Sequence, residues 1–240
     1  MSLAEKLKRI YFDSVYNRVY DFTTGRLNRY RKLQSSCISK LELRDDDAVL
    51  CVGVGTGNEV LHILQINRNV KIVGVDYSKT ALRKAYSKAF VWGKEIEVLM
   101  MDVRRLEFAA GSFDSVLCLH VMDFIEDKSQ ATEEVFRVLK DGGRFVITYP
   151  SGKEDLELGL NLLRDSIGHK VNSGKHRVRA LFESLAQVVM GIVYLPLFLR
   201  PRKRLYSRDE LQAMFARLIA RHFQIEEDPV YHDFIVYGRK

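Results

Sequence analysis

Glycine and acidic residues in this chain stand where apolar runs stop. The run 49–52 leads into Gly53-Val54-Gly55-Thr56-Gly57-Asn58-Glu59, the run 70–75 is followed by Asp76, and the run 96–101 by Asp102. Each run reads as a buried strand. In a parallel α/β sheet, a polar residue at the C-terminal end of a strand lies where such sheets bind their ligands. Glycine lacks the Cβ that would collide with a ligand, so the first stretch can turn tightly and let its backbone approach a bound group. A nucleoside-bearing cofactor fits three such strand ends in succession. The glycine spacing narrows the choice. A dinucleotide-binding turn, G-x-G-x-x-G, would put its third glycine at position 58. Here that residue is Asn58, and the third glycine comes one residue earlier, at Gly57.

These residues need a scaffold that brings strand ends together, and the rest of the sequence carries the signals for one. Strands are expected at 48–53, 70–75, 96–101, 113–119 and 144–149. Helices are expected from the glycine turn to about Ile66, from Ser78 to about Phe90, and over 129–139. Lys140-Asp141-Gly142-Gly143 is expected to end that last helix, with glycine supplying the left-handed turn. Repeated β-α units of this length imply a parallel, doubly wound sheet. Beyond Pro150 the pattern changes. Ser207-Arg208-Asp209-Glu210 is a capping box that opens a helix to about Arg221. The segments 223–226 and 232–237 then read as a short antiparallel pair on the sheet edge. Residues 5–35 read as helical, with Tyr11, Tyr16, Tyr20 and Tyr30 interleaved.

The 240 residues, 47% hydrophobic and 29% charged, suit one globular domain with a full core. The expected parts are a helical cap at 1–40, a ligand-binding core at 41–150, a lid or insertion at 151–206, and a C-terminal helix with edge strands at 207–240. Three cysteines, Cys37, Cys51 and Cys118, give an odd count without paired spacing. That argues for a reducing compartment and against a disulfide framework or a zinc site. The charged start lacks the apolar core of a signal peptide, and a cytoplasmic location is the expectation. The net charge of +7 is unevenly placed. Residues 1–40 carry nine Lys/Arg against three Asp/Glu, residues 164–208 ten against two, and the remainder is net acidic. Such asymmetry suggests a partner surface.

The G-x-G-x-G loop, joined to Asp76 and Asp102, resembles the cofactor site of class I S-adenosylmethionine-dependent methyltransferases. Tyr16-Asn17-Arg18-Val19-Tyr20-Asp21, Phe113-Asp114-Ser115-Val116 and the stretch 136–143 resemble the branch that includes ubiquinone/menaquinone-biosynthesis and small phospholipid N-methyltransferases. The resemblance implies a mostly parallel seven-stranded Rossmann-like sheet of order 3-2-1-4-5-7-6. It also implies cofactor contacts. Gly53, Gly55 and Gly57 would lie beneath the methionine part, and Asp76 would accept from both ribose hydroxyls, as a planar carboxylate can. Tyr77 would pack on the adenine, Asp102 would accept from its amino group, and the Val103 amide would face the ring. Leu119 and His120 would border the methyl donor. Cys51 is a departure, because the family commonly has an acidic residue there that orients the loop and the cofactor's ammonium.

The acceptor is less legible, since fold does not fix substrate. Residues 188–199 carry no charge and are framed by Arg177 and Arg179 on one side and Arg200, Arg202, Lys203 and Arg204 on the other. Twelve residues are too few to span a bilayer, which takes about 20 in a helix. The segment 188–204 suits an anionic membrane surface, a lid over a greasy substrate, or a core or homodimer contact. Methyl transfer from a sulfonium needs proximity, alignment and exclusion of water, with a general base only for a protonated acceptor. His120 is the candidate base. The expected activity is methyl transfer to a small or lipophilic acceptor: a quinol, phenol, amine or lipid headgroup. Two other readings stay open. A nucleic-acid methyltransferase would explain the basic flanks, although the sequence has no Asn/Asp-Pro-Pro-Tyr-type motif after the fourth strand. A non-catalytic, methyltransferase-like binding or assembly protein would explain Cys51.

Overall fold

Apolar strands alternating with amphipathic helices can bury both faces of a sheet only if the helices divide between them. A computed structural model shows this division. It describes residues 10, 11, 13, 16, 17, 21, 28–152, 204–218, 222–229 and 232–240. The elements are α1 (Asn28–Ser39), β1 (Ala48–Val52), α2 (Asn58–Ile66), β2 (Lys71–Asp76), α3 (Lys79–Val91), β3 (Glu97–Met100) and β4 (Phe113–Cys118). They continue with α4 (Lys128–Val138), β5 (Leu139–Tyr149), α5 (Arg208–Arg217), β6 (His222–Glu227) and β7 (Phe234–Arg239). The seven strands form one sheet in the order β3-β2-β1-β4-β5-β7-β6. The strands β1 to β5 pair in parallel, and β7 runs antiparallel to both β5 and β6. The expected order is the observed one.

Strand β1 shows how the sheet is covered. Alternate side chains point to opposite faces. Val49 and Cys51 join a core with Leu33 and Cys37 of α1, Ile63 of α2 and Ala85 of α3. Leu50 and Val52 join the other core, with Val135 and Phe136 of α4 and Phe215 of α5. There Phe215 stacks on Phe145 at 5.5 Å and meets Phe136 edge-on at 5.6 Å. All three cysteines are buried and free, and burial pushes each thiol upward, Cys37 to about 12.

Local signals set the helix starts. The Ser78 hydroxyl accepts from the Ala81 N–H at 3.2 Å and caps α3. At α5 the Ser207–Glu210 capping box is complete in both directions. Such caps contribute about 1 kcal/mol each. Two expectations need correction. Helix α4 is not closed by a left-handed glycine: it stops at Val138, and Leu139 is already extended at φ −78°, ψ 134°. Gly142, at φ +75°, lies instead within β5, where the register against β4 slips between Phe113 and Ser115. Leu139 is fully buried and pairs with Phe113, so the chain joins the sheet at once and the glycine serves a bulge. Helix α5 ends at Arg217, short of Arg221, which lies outside the described residues. The expected lid at 151–206 and cap at 1–40 also lie mostly outside them, as does the apolar run 188–199.

The N-terminal edge of the parallel strands is tied by ion pairs. Arg144 meets Asp47 at 2.6 Å, with side chains 7% and 9% exposed, and also donates to the Glu42 carbonyl at 2.6 Å. Lys140 pairs with Asp114 and Arg239 with Glu42, each at 2.8 Å.

Candidate active site

At the opposite edge the chain leaves β1 through three glycines that all adopt left-handed backbone: Gly53 (φ +65°), Gly55 (φ +54°) and Gly57 (φ +83°). Their surroundings differ. A Cβ on Gly53 would stand 2.1 Å from Val121 Cγ2, and one on Gly57 would stand 2.7 Å from the Ala85 Cα of α3. Those two positions are fixed by protein packing. A Cβ on Gly55 would find, among the described residues, nothing nearer than the Gly53 carbonyl at 3.8 Å, so the loop presents its open side to them there.

Asp76 ends β2 beside that opening. One carboxylate oxygen accepts from the Gly55 N–H at 2.9 Å and the other from the Ser78 N–H at 2.8 Å. The Tyr77 N–H bonds the same carboxylate, and with about four acceptor sites on its two oxygens it keeps capacity for a ribose hydroxyl. Burial pushes the Asp76 pKa up, against the backbone bonds that pull it down. The carboxylate and the open glycine therefore suit the ribose end of a nucleoside cofactor. Tyr77 follows Asp76 and is 45% exposed, whereas Val103 and Leu119 are buried. Asp102 ends the β3 segment and is engaged by Arg104. The guanidinium meets it through Nε at 3.0 Å and Nη2 at 2.5 Å, and the Arg104 N–H donates at 2.9 Å. This fork holds the Asp102 carboxyl below its usual range. An adenine amino group at Asp102 would share the carboxylate with Arg104.

The N-terminal segment reaches the same loop through Asp13 and, from the stretch that carries the family resemblance, Asn17 and Asp21. Asp13 accepts from the Ser78 hydroxyl and from the Thr80 N–H. The Asn17 side chain donates to Ser78 Oγ at 2.8 Å. Asp21 accepts from Thr56 Oγ1 at 2.5 Å and from Lys88 Nζ at 2.7 Å. Asp13, Asn17 and Asp21 are spaced by four, the repeat of one helix face. That polar stripe is legible at helical spacing, among the interleaved tyrosines. Of those, Tyr11 and Tyr16 lie 6.2 Å apart, ring to ring, and Tyr20 lies outside the described residues.

His120 follows β4 with a left-handed backbone, φ +55°, uncommon for a residue with a Cβ. Its N–H donates to Thr148 Oγ1 at 2.7 Å, which holds the turn. The ring lies 5.3 Å from that of Tyr30, with its Nδ1 3.1 Å from Asp233 and 3.8 Å from Asp123. Nε2 is buried and has no hydrogen-bond partner among the described residues. Burial alone would lower this pKa. The bond to Asp233 and the charges of Asp233, Asp123 and Glu59 outweigh it and hold the imidazole at about 9. Glu59, in the first turn of α2, accepts from Gln34 Nε2 at 2.6 Å, and burial pushes its pKa up. Its charge also acts on the buried Cys51 thiol, so a carboxylate stands near the position where the resembling family has one.

Residues 50–147 match the family described as a methyltransferase domain. The ubiquinone/menaquinone biosynthesis C-methyltransferase of Geotalea uraniireducens is 33% identical over 152 residues, covering 60% of this chain and 62% of that protein. The match thus spans less than two thirds of that relative's length. The phosphatidylethanolamine N-methyltransferase of Cereibacter sphaeroides is 27% identical over 195 residues, covering 78% of this chain and 93% of its own. Among solved structures, a magnesium protoporphyrin IX methyltransferase from Synechocystis PCC 6803 with bound SAH shares the fold. Its TM-score is 0.63 at 16% identity, with 98% of this chain and all of that one covered.

Proposed function

The chain belongs to the class I S-adenosylmethionine-dependent methyltransferase family, and from that premise we propose that it transfers a methyl group from S-adenosylmethionine to a lipophilic acceptor bearing a hydroxyl or amine. The observation that carries the reading is Asp76, anchored by backbone N–H groups beside Gly55, where an added Cβ would meet no described atom closer than 3.8 Å. When bound, the cofactor supplies a methyl group on a sulfonium, an intrinsically good leaving group.

The chain's own residues then divide the work. Asp76 takes the ribose hydroxyls, Gly55 leaves room above the loop, and Tyr77, Asp102 and Val103 form the adenine side. Gly53 and Gly57 act through the loop's shape. The N-terminal segment caps the loop, a reading supported by the Asp13, Asn17 and Asp21 contacts. Leu119 and His120 border the methyl donor, and His120 Nε2 serves as the base for an acceptor that must lose a proton. The names of the C-methyltransferase and the phosphatidylethanolamine N-methyltransferase favour a quinol, phenol or lipid headgroup as acceptor. The segment 188–204 is assigned to cover that acceptor or to contact an anionic membrane. Among the described residues, no helix is long and apolar enough to cross a membrane.

The test is transfer of labelled methyl from S-adenosylmethionine to a panel of quinols, phenols and phospholipid vesicles. Product labelled in the lipid-extractable fraction is the expected result. Labelling of tRNA or DNA instead, or of no acceptor while the cofactor is bound, would overturn it.

A further inference from the structure

The pairing of His120 with Asp233 joins two distant parts of the chain at one point. Strand β7 runs antiparallel to β5, with Tyr149 opposite Phe234, so its first residues begin at the ligand-binding edge of the parallel strands. Asp233 immediately precedes β7, and its side chain is 3% exposed. That placement delivers a buried carboxylate to the imidazole that follows β4. A buried acid is costly unless its charge is paired. The reversed strand thus contributes to the site, as well as closing the sheet.

The two ring nitrogens of His120 have different surroundings. With Nδ1–H donated to Asp233 at 3.1 Å, the neutral tautomer leaves its lone pair on Nε2. Nε2 is buried, and no described residue hydrogen-bonds to it. The backbone also limits the ring, through the left-handed φ of +55° and the His120 N–H to Thr148 bond. A residue held in such a conformation at a ligand-binding edge is a mark of a functional constraint.

We propose that Asp233 is the positioning residue of the transfer step, fixing the His120 tautomer and presenting Nε2 to the proton of the acceptor. This rests on the methyl-transfer reading above. As the acceptor's O–H bond breaks, its electron pair stays on oxygen and its proton passes to the Nε2 lone pair. The oxygen, or the ring carbon that its charge activates, forms the new bond to the methyl carbon, and the electrons of the broken S–C bond remain on sulfur. For an attack by ring carbon, the hydrogen that it carries then leaves as a proton. The resulting imidazolium lies against Asp233, with Asp123 from its own loop and Glu59 from α2 as the other acids acting on it. The Tyr30 ring from α1 packs beside it.

The experiment follows the His120 Cε1 resonance across pH in the full-length wild type and in Asp233→Asn. The wild-type midpoint is expected near 9, and the variant's lower by at least about one pH unit. In the transfer assay, Asp233→Asn is expected to lower kcat by at least about tenfold, with unchanged affinity for S-adenosylmethionine. It should also move the rising limb of the pH profile downward with the imidazole midpoint, and Asp233→Glu should restore both readouts in part. An unmoved midpoint would overturn the proposal. So would a rate loss without movement of the limb, which would mark Asp233 as merely structural. If the midpoint moves as expected but the wild type methylates nothing, the pairing stands and the methyl-transfer reading fails.

Discussion

The two edges of the parallel strands use the same kinds of side chain to opposite ends. At the N-terminal edge three acids meet bases: Asp47 with Arg144, Asp114 with Lys140, and Glu42 with Arg239. At the C-terminal edge the acids gather instead. Asp123, Asp233 and Glu59 act on a single imidazole, and Asp76 is held by backbone N–H groups with acceptor capacity to spare. The left-handed His120 and the open Gly55 also lie at this edge. A neutralised edge stabilises the fold. An edge with raised pKa values and a buried ring nitrogen lacking a described partner is arranged for a ligand.

The largest effect expected from breaking this contrast is at the neutralised edge. Asp47→Ala leaves the buried Arg144 without its carboxylate, and removing one partner of a buried pair costs about 3–5 kcal/mol. Urea denaturation should show that loss, while cofactor affinity of the folded fraction stays unchanged. If affinity fell as well, the two edges would not be separable.

A smaller effect is expected at the other edge, from pH. The folded-state pKa of His120, about 9, lies above the ordinary 6.5 of an imidazole. Its charge therefore adds stability that is fully present below about pH 6.5 and is lost as pH rises through about 9. The side chain is 22% exposed, so water screens part of this contribution. Thermal midpoints should decline over that window in the wild type, and His120→Gln should flatten the decline. An unchanged slope in the variant would detach the imidazole from the acids around it.

Much of this architecture is legible in the sequence, because the signals are local. The strand runs, the G-x-G-x-G spacing, Asp76 and the Ser207–Glu210 box all lie within a few residues of what they determine. The bulge at Gly142 was less legible, since a glycine after a helix serves a cap or a sheet irregularity equally well, and tertiary pairing of Leu139 decides. The Asp233–His120 contact has no local signal. It exists because the last strand is reversed, which brings its first residues back to the edge where β4 ends. The stripe of Asp13, Asn17 and Asp21 was present at helical spacing, yet its meaning depends on Ser78, Thr56 and Lys88, which the fold brings beside it.

The central claim is that the C-terminal edge holds S-adenosylmethionine through Asp76. Calorimetric titration of the cofactor into wild type and Asp76→Ala, with circular dichroism to show that both are folded, tests it most directly. Hydrogen bonds to a charged group contribute about 1.5–3 kcal/mol each, so losing two should weaken binding by about 100-fold or more. Binding by the wild type with such a loss in the variant is the predicted result. Equal affinity in the two proteins, or no binding by the wild type, would contradict the account.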